Sequence, residues 1–262
     1  MLRCIDVSEY NGYVNWGAIE PQVDGAIVRV GYRGYGWAGT MAVDARLHQN
    51  LRGAKEKGVP VGAYWVSQAV TESEALAEAE FVHNHLKGYD MELPVFLDSE
   101  WGEAKNGTGR ADGISKAKRT RYGLTFLRKL REHGYVTGLY CAESWFHDEL
   151  DGEAFRQNGH VIWLASVEHV EPTTPYDGWQ FSWKGSVDGI VGDVDLNVFK
   201  KEALLRMGRY YTDTNGHWAE DAIDRMRDEG LMNGKTESLF DPDAPITRAE
   251  VATVIARLLD KK

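Results

Sequence analysis

Two carboxylates separated by a single serine, Asp98 and Glu100, close the apolar run Pro94–Trp101, PVFLDSEW. Side chains alternate across a strand, so both acids point to the same side as Phe96, while Val95, Leu97 and Ser99 face the other. Acids at the tip of a buried strand lose hydration and repel each other. Those two effects keep one member protonated near neutrality while a better-solvated neighbour stays ionised. An acid beside an anion serves reactions that need a proton on a leaving oxygen and a negative charge against a developing cation. Glycoside hydrolysis has that pattern, and so do other carboxylate-based hydrolyses.

Holding such a pair in place takes a scaffold that ends several strands at one point. Eight runs of strand length recur along the chain: CIDV, AIVRVGY, VGAYWV, LPVFLD, VTGLYC, VIWLAS, WQFSW and VDLNVF. Several are apolar nearly throughout, as parallel strands covered on both faces are, and Gly or Pro usually precedes them. Helices are expected between them, from Thr71 to His85, with Thr71 and Glu74 at capping-box spacing, and from Ser115 to His133, basic in its last turns. This alternation predicts an α/β fold, an eight-stranded TIM-like barrel. The last intervals are too short for crossover helices, so few late helices are expected. In a parallel barrel the C-terminal ends of the strands line the catalytic mouth, and Asp6, Gln180 and Asp195 stand near three further strand ends. A ring of four acids follows: Asp6, Asp98, Glu100 and Asp195. Tyr64, Tyr140 and Trp163 lie in three of the strands and offer faces on which the C–H side of a sugar ring packs.

After Phe199 the strand pattern stops and only helical periodicity remains. The boundary is set at 208/209, giving a barrel over 1–208 and a small all-α domain over 209–262. Ala219–Glu229 puts Ala222, Ile223 and Met226 on one face, and Gly230 stands where that helix would stop. A Pro-marked loop then leads to a second helix, with Thr247 and Glu250 forming another capping box. About fifty residues is near the lower limit for independent stability, so this unit is expected to lean on the barrel or on another copy of itself.

Composition limits the partners. The 262 residues are 43% hydrophobic with nine tryptophans, enough for a large core, and the net charge of -10 argues against nucleic acid as a ligand. MLRCIDVSEYNG lacks a basic segment followed by an apolar stretch, and no later run is long enough to cross a bilayer. Synthesis in the cytoplasm without a signal peptide is therefore expected, with no membrane partner. Cys4 and Cys141 lie in different strands and outside any CxxC pattern, so both are expected to be reduced, buried thiols. No cofactor or metal is expected. GYRGYG at 31–36 has reversed spacing relative to a dinucleotide fingerprint and reads as a loop at the barrel mouth. His83 and His85 are two apart on a helix and face different ways, and in DPDAPITRAEVA Pro245, Ile246 and Ala252 occupy positions a calcium loop needs for ligands and glycine.

In chain order, DVSEYNGYVNW, AIVRVGY, AKEKGVPVGAYW, PVFLDSEW, WLAS and WQFSW…VDGIVGDVDLNVF resemble the glycoside hydrolase family 25 lysozymes of the Chalaropsis type, over nearly all of residues 1 to about 202. The resemblance implies a (β/α) barrel that hydrolyses the β-1,4 bond between N-acetylmuramic acid and N-acetylglucosamine in peptidoglycan. It implies Glu100 as general acid, Asp98 as the carboxylate that orients or stabilises the substrate, and Asp6 and Asp195 as the remaining acids. Tyr64, Tyr140, Trp163 and Gln180 then line the sugar groove. Whether an enzyme carboxylate or the substrate acetamide is the nucleophile stays open.

The segment YTDTNGHWAEDAIDRMRDEGLMNG…SLFDPDAPITRAEVATVIARLL resembles a single S-layer homology module. That resemblance implies anchoring to a secondary cell-wall polymer, with Trp218, Thr247, Arg248 and Glu250 as contacts. One copy stands where three are common, which implies weak binding or a homo-oligomer assembled through residues 209–262. The combined expectation is a wall-anchored muramidase, a phage or prophage endolysin acting at the Gram-positive cell wall after release. A host autolysin and a wall-binding protein that does not cut are the alternatives.

Overall fold

The computed structural model describes residues 1–102, 109–166, 170–201, 211, 213–214, 217–236 and 239–259. The chain divides into two compact units, Met1–Met207 and Gly208–Lys262. The boundary expected at Gly208 and Arg209 lies outside the described residues.

The first unit is a closed barrel. Its strands are β1 (Leu2–Val7), β2 (Gly25–Arg33), β4 (Val61–Val66), β5 (Val95–Asp98), β6 (Thr137–Ala142), β7 (Val161–Ala165), β8 (Gly178–Gly185) and β9 (Val194–Phe199). All eight apolar runs are barrel strands. The ring closes because β1 pairs with both β2 and β9. A ninth strand, β3 (Met41–Val43), folds back on β2 as an antiparallel flap. Its three residues are too few to stand out as an apolar run.

One expectation needs correcting. The barrel is parallel except for β9, which runs antiparallel to β8 and β1. The connection over 186–193 is too short to carry a crossover helix and can only turn back as a hairpin. Asp195 therefore reaches the mouth from the start of its strand, and not from a C-terminal end.

Helices cover the outside: α1 (Trp16–Ile19), α2 (Leu47–Glu56), α3 (Glu72–Leu86), α4 (Lys116–Glu132), α5 (Glu143–Asp148) and α6 (Gly152–Gln157). Among the described residues, the β7–β8 and β8–β9 connections carry no helix. Thr71 caps α3 by accepting from the Glu74 amide at 3.2 Å, but the Glu74 carboxylate reaches the amide of Val70, one residue earlier than a capping box requires.

Strand alternation sorts the side chains into two cores. Ile5, Val28, Trp65, Leu97, Leu139 and Leu164 pack outward against the helices, whereas Cys4, Ile27, Phe96, Trp163 and Phe199 fill the barrel. Inward-facing glycines leave space for those rings. A Cβ on Gly138 would lie 2.4 Å from the Phe96 ring, and one on Gly178 would lie 2.2 Å from the Phe199 ring. Phe96 and Phe199 in turn pack on Trp163 with centroid separations of 5.0 and 5.6 Å. Cys4 points into the barrel and Cys141 points out of it; both are free, and burial pushes both thiols up.

The second unit contains α7 (Glu220–Asp228) and α8 (Arg248–Leu259). On α7 Ile223 is buried and Met226 half-buried, while Ala222, expected on the same face, is exposed. Gly230 ends the segment in the left-handed region at φ 63°. Thr247 and Glu250 close a full capping box: the Thr247 amide donates to Glu250 at 2.7 Å, and the Glu250 amide donates to Thr247 at 3.2 Å.

Because the inner aromatics are packed around missing Cβ atoms, Gly138→Ala is expected to cost about 1–3 kcal/mol of stability. Phe96→Leu in the same chain should restore part of it. Urea unfolding of the single and double variants checks both; an undiminished single variant would show that the Phe96 ring can move aside.

Candidate active site

Above the aromatic core, the same strand faces carry a polar layer. Asp6, Arg29, Tyr64, Asp98, Tyr140, Gln180 and Asn197 share the parity of the inner core, and Asp195 stands one step closer to the mouth on β9. Strand register brings them together: Asp6 sits opposite Asp195, Arg29 beside Tyr64, and Asp98 beside Tyr140.

Asp6 is the hub of this layer. Its Oδ2 accepts from Gln180 Nε2 at 3.0 Å and from Asn197 Nδ2 at 2.9 Å. Both amides are held in that orientation by indoles, which can only donate. Trp163 Nε1 donates to Asn197 Oδ1 at 3.0 Å, and Trp183 Nε1 donates to Gln180 Oε1 at 2.9 Å, so each NH2 group must turn toward Asp6. The Tyr140 hydroxyl adds a second donor to Gln180 Oε1 at 2.8 Å. Burial raises Asp6, but these donors and Asp195 pull it back. Asp195 is pushed up to about 9 by burial and then by the charge of Asp6. Burial raises both acids, and the pair titrates as a unit that holds a proton above the usual carboxylate range.

The DxE acids sit in contrasting environments. Asp98 is 3% exposed, and burial, followed by the charges of Glu100 and Asp6, holds its carboxyl well above the usual range, opposed by Arg29. Among the described residues its Oδ1 has no hydrogen-bond partner. Glu100 lies just beyond β5 and is exposed. Its charge acts on Asp98, Tyr35, Tyr140 and Asp195, which places it over the ring. One dehydrated acid, its carboxyl raised above the usual range, thus stands beneath one solvated acid.

The expected aromatics divide. Tyr64 and Tyr140 are half-buried among the acids, whereas Trp163, expected to line the groove, is 1% exposed and forms its floor. Trp218, Thr247, Arg248 and Glu250 belong to the second unit. There Trp218 is 90% exposed, while Thr247 and Glu250 bond to each other.

Sequence reasoning missed Arg29, Asn197 and Trp183. Arg29 Nε pairs with Asp44 at 2.7 Å and its NH2 group with Glu9 at 2.9 Å, while its guanidinium lies 4.8 Å from the Tyr10 ring centroid. The signal was a lone cation inside AIVRVGY, at the same parity as Ile27. GYRGYG is a loop only in part: Gly31–Arg33 complete β2, and the chain leaves the strand from Gly34. Tyr35 is pushed up to about 12 by burial and by Glu100 and Asp98, and its carbonyl accepts from the Arg110 amide at 3.0 Å. Among the described residues there is no group of three His, Cys, Asp or Glu side chains able to hold a metal.

Residues 5–190 match the family described as glycosyl hydrolases family 25, and residues 210–252 match the S-layer homology domain. Lysozyme M1 of Streptomyces globisporus is 27% identical over 216 residues, covering 77% of this chain and 69% of that one. The autolysin LytC of Streptococcus pneumoniae, solved with a synthetic peptidoglycan ligand, superposes with a TM-score of 0.64 at 25% identity, covering 76% of this chain and 46% of its own. An amylopullulanase of Thermoanaerobacterium thermosulfurigenes is 29% identical over 100 residues, 37% of this chain. The chain spans only 5% of that relative's length.

The raised carboxyl of Asp195 has a pH signature. In the folded state it keeps a proton that the unfolded chain has already released above the ordinary value of 3.8, so this group lowers stability progressively as pH rises toward about 9. Asp195→Asn is expected to flatten that decline, which urea unfolding at pH 4.5, 7 and 9 would measure. An equal slope in both proteins would place the proton elsewhere.

Proposed function

The chain belongs to glycosyl hydrolase family 25 through residues 5–190, and from that premise we propose that it is a peptidoglycan hydrolase, an N-acetylmuramidase cutting the β-1,4 bond between N-acetylmuramic acid and N-acetylglucosamine. The observation that carries this reading is the pairing of buried Asp98 with exposed Glu100 above the facing Asp6–Asp195 pair. The likeness to LytC, solved with a peptidoglycan ligand, supports the substrate class.

Glu100 acts as the general acid. A sugar that covers the mouth takes water from this exposed carboxyl and raises its pKa by the same desolvation that raises Asp98. Glu100 then gives its proton to the leaving oxygen. Asp98, with one carboxyl oxygen unsatisfied, hydrogen-bonds a polar group of the sugar such as the acetamide, and its ionised form, disfavoured by burial, is the one that supplies negative charge as the cationic centre develops. The Asp6–Asp195 pair stays outside the proton transfer and maintains the negative field. Arg29, engaged by Asp44 and Glu9, limits that field without cancelling it.

The C-terminal module holds the enzyme on the wall through a secondary polymer, with Trp218 and Arg248 as contacts. Thr247 and Glu250 stand beside them, with a capping box that already accounts for both side chains. The whole chain reads as an endolysin-type lytic enzyme of phage or prophage origin. The likeness to the pneumococcal autolysin favours a host autolysin as second reading, and a neighbouring gene for a membrane-permeabilising protein separates the two.

Digestion of purified peptidoglycan is expected to leave muramic acid at the new reducing end; glucosamine there, or amide cleavage, would sink the muramidase reading. Glu100→Gln is expected to lower turnover at least about a hundredfold with folding intact, and Asp98→Asn to be severely impaired. Near-normal turnover in the Glu100 variant would remove that residue from the acid role.

A further inference from the structure

Trp183 stands out at the mouth. It is 55% exposed, yet its only polar atom donates at 2.9 Å to Gln180 Oε1, and Gln180 Nε2 donates at 3.0 Å to Asp6. Residues three apart on a regular strand face opposite sides, so Trp183 would turn away from Gln180 if β8 were regular. It does not, because the β8–β9 register shifts between Gln180 and Ser182 and again between Ser182 and Gly185. Irregularities of this kind re-aim side chains. Here they turn an indole from the outer side, where Trp179 and Phe181 pack edge to face at 5.7 Å, toward the acid network.

With its N–H spent inside the protein, the indole offers the cleft only its carbon faces. An apolar plane of that size, left half-exposed and held by a hydrogen bond, suits the C–H face of a pyranose ring. We infer that Trp183 is a substrate-stacking residue for a glycan sugar and also a positioning residue, which through Gln180 fixes the Asp6 carboxylate. This inference rests on the glycan-hydrolase reading above. It joins substrate recognition to the acid network by two hydrogen bonds, so that the surface on which the sugar lies and the group that sets the field are one rigid unit.

Steady-state kinetics on soluble, purified peptidoglycan glycan chains, read as new reducing ends, tests the two roles separately. Trp183→Ala is expected to raise KM about tenfold, the size of a lost stacking contact. Trp183→Phe keeps a stacking face but loses the N–H; its KM should stay within about twofold of the parent while kcat falls about threefold. Thermal unfolding of both variants controls for folding. An unchanged KM in Trp183→Ala overturns the stacking role, and equal losses in both variants that follow their melting temperatures reduce Trp183 to a structural prop. A parent enzyme that releases no reducing ends would instead overturn the hydrolase reading itself, and this inference with it.

Discussion

Asp6 Oδ2 accepts one amide N–H from β8 and one from β9, while the side chain directly across the β1–β9 ladder is a second acid, Asp195. The first strand of the barrel is thereby tied to the last two at the point where the ring closes. A buried carboxylate without donors is far costlier than one with them, so this closure and the charge state of the site depend on each other. Neither amide is free to turn. Each carbonyl oxygen is occupied by an indole that has nothing to accept with, which leaves the NH2 groups only the Asp6 side.

The electrostatics of the mouth follow from this anchor. Asp6 is raised by burial and partly pulled back by its donors; Asp195, facing it, is raised further, and Asp98, buried and facing both Asp6 and Glu100, is pushed the same way. Among the described residues, Arg29 is the cation that acts on Asp98 and Tyr64. It is shared with Asp44 and Glu9, outside the ring, and so tempers the negative potential instead of discharging it. A site of this kind holds protons at pH values where isolated carboxylates have lost them, which is what acid catalysis on a sugar requires.

Packing beneath the acids is equally specific. Phe96, Trp163 and Phe199 fill the barrel only because Gly138 and Gly178 have no side chains to oppose them, and the polar layer rests on that floor. Trp163 belongs to both layers, with its ring in the core and its N–H on Asn197. Its type and strand position in the sequence suit a sugar contact equally well, because an aromatic in a barrel strand looks the same whether it stands in the floor or the wall. Only the neighbouring strands decide which.

Much was legible in the sequence for a local reason. Strand runs, helix caps and the same-side placement of Asp98 and Glu100 follow from periodicity and short-range chemistry, which the chain carries residue by residue. The pairing of Asp6 with Asp195 and the tie from Trp183 through Gln180 depend instead on strand direction, register and two local irregularities in β8. These join residues as far apart as 191 positions, as in the Asn197 to Asp6 bond. Such contacts leave no periodic trace, since they arise from closing the sheet on itself. The sequence by itself determined which residues could act as acids and which strands would present them; the tertiary structure decided which of them are pushed toward the protonated form, because burial and neighbouring charge exist only once the barrel is closed.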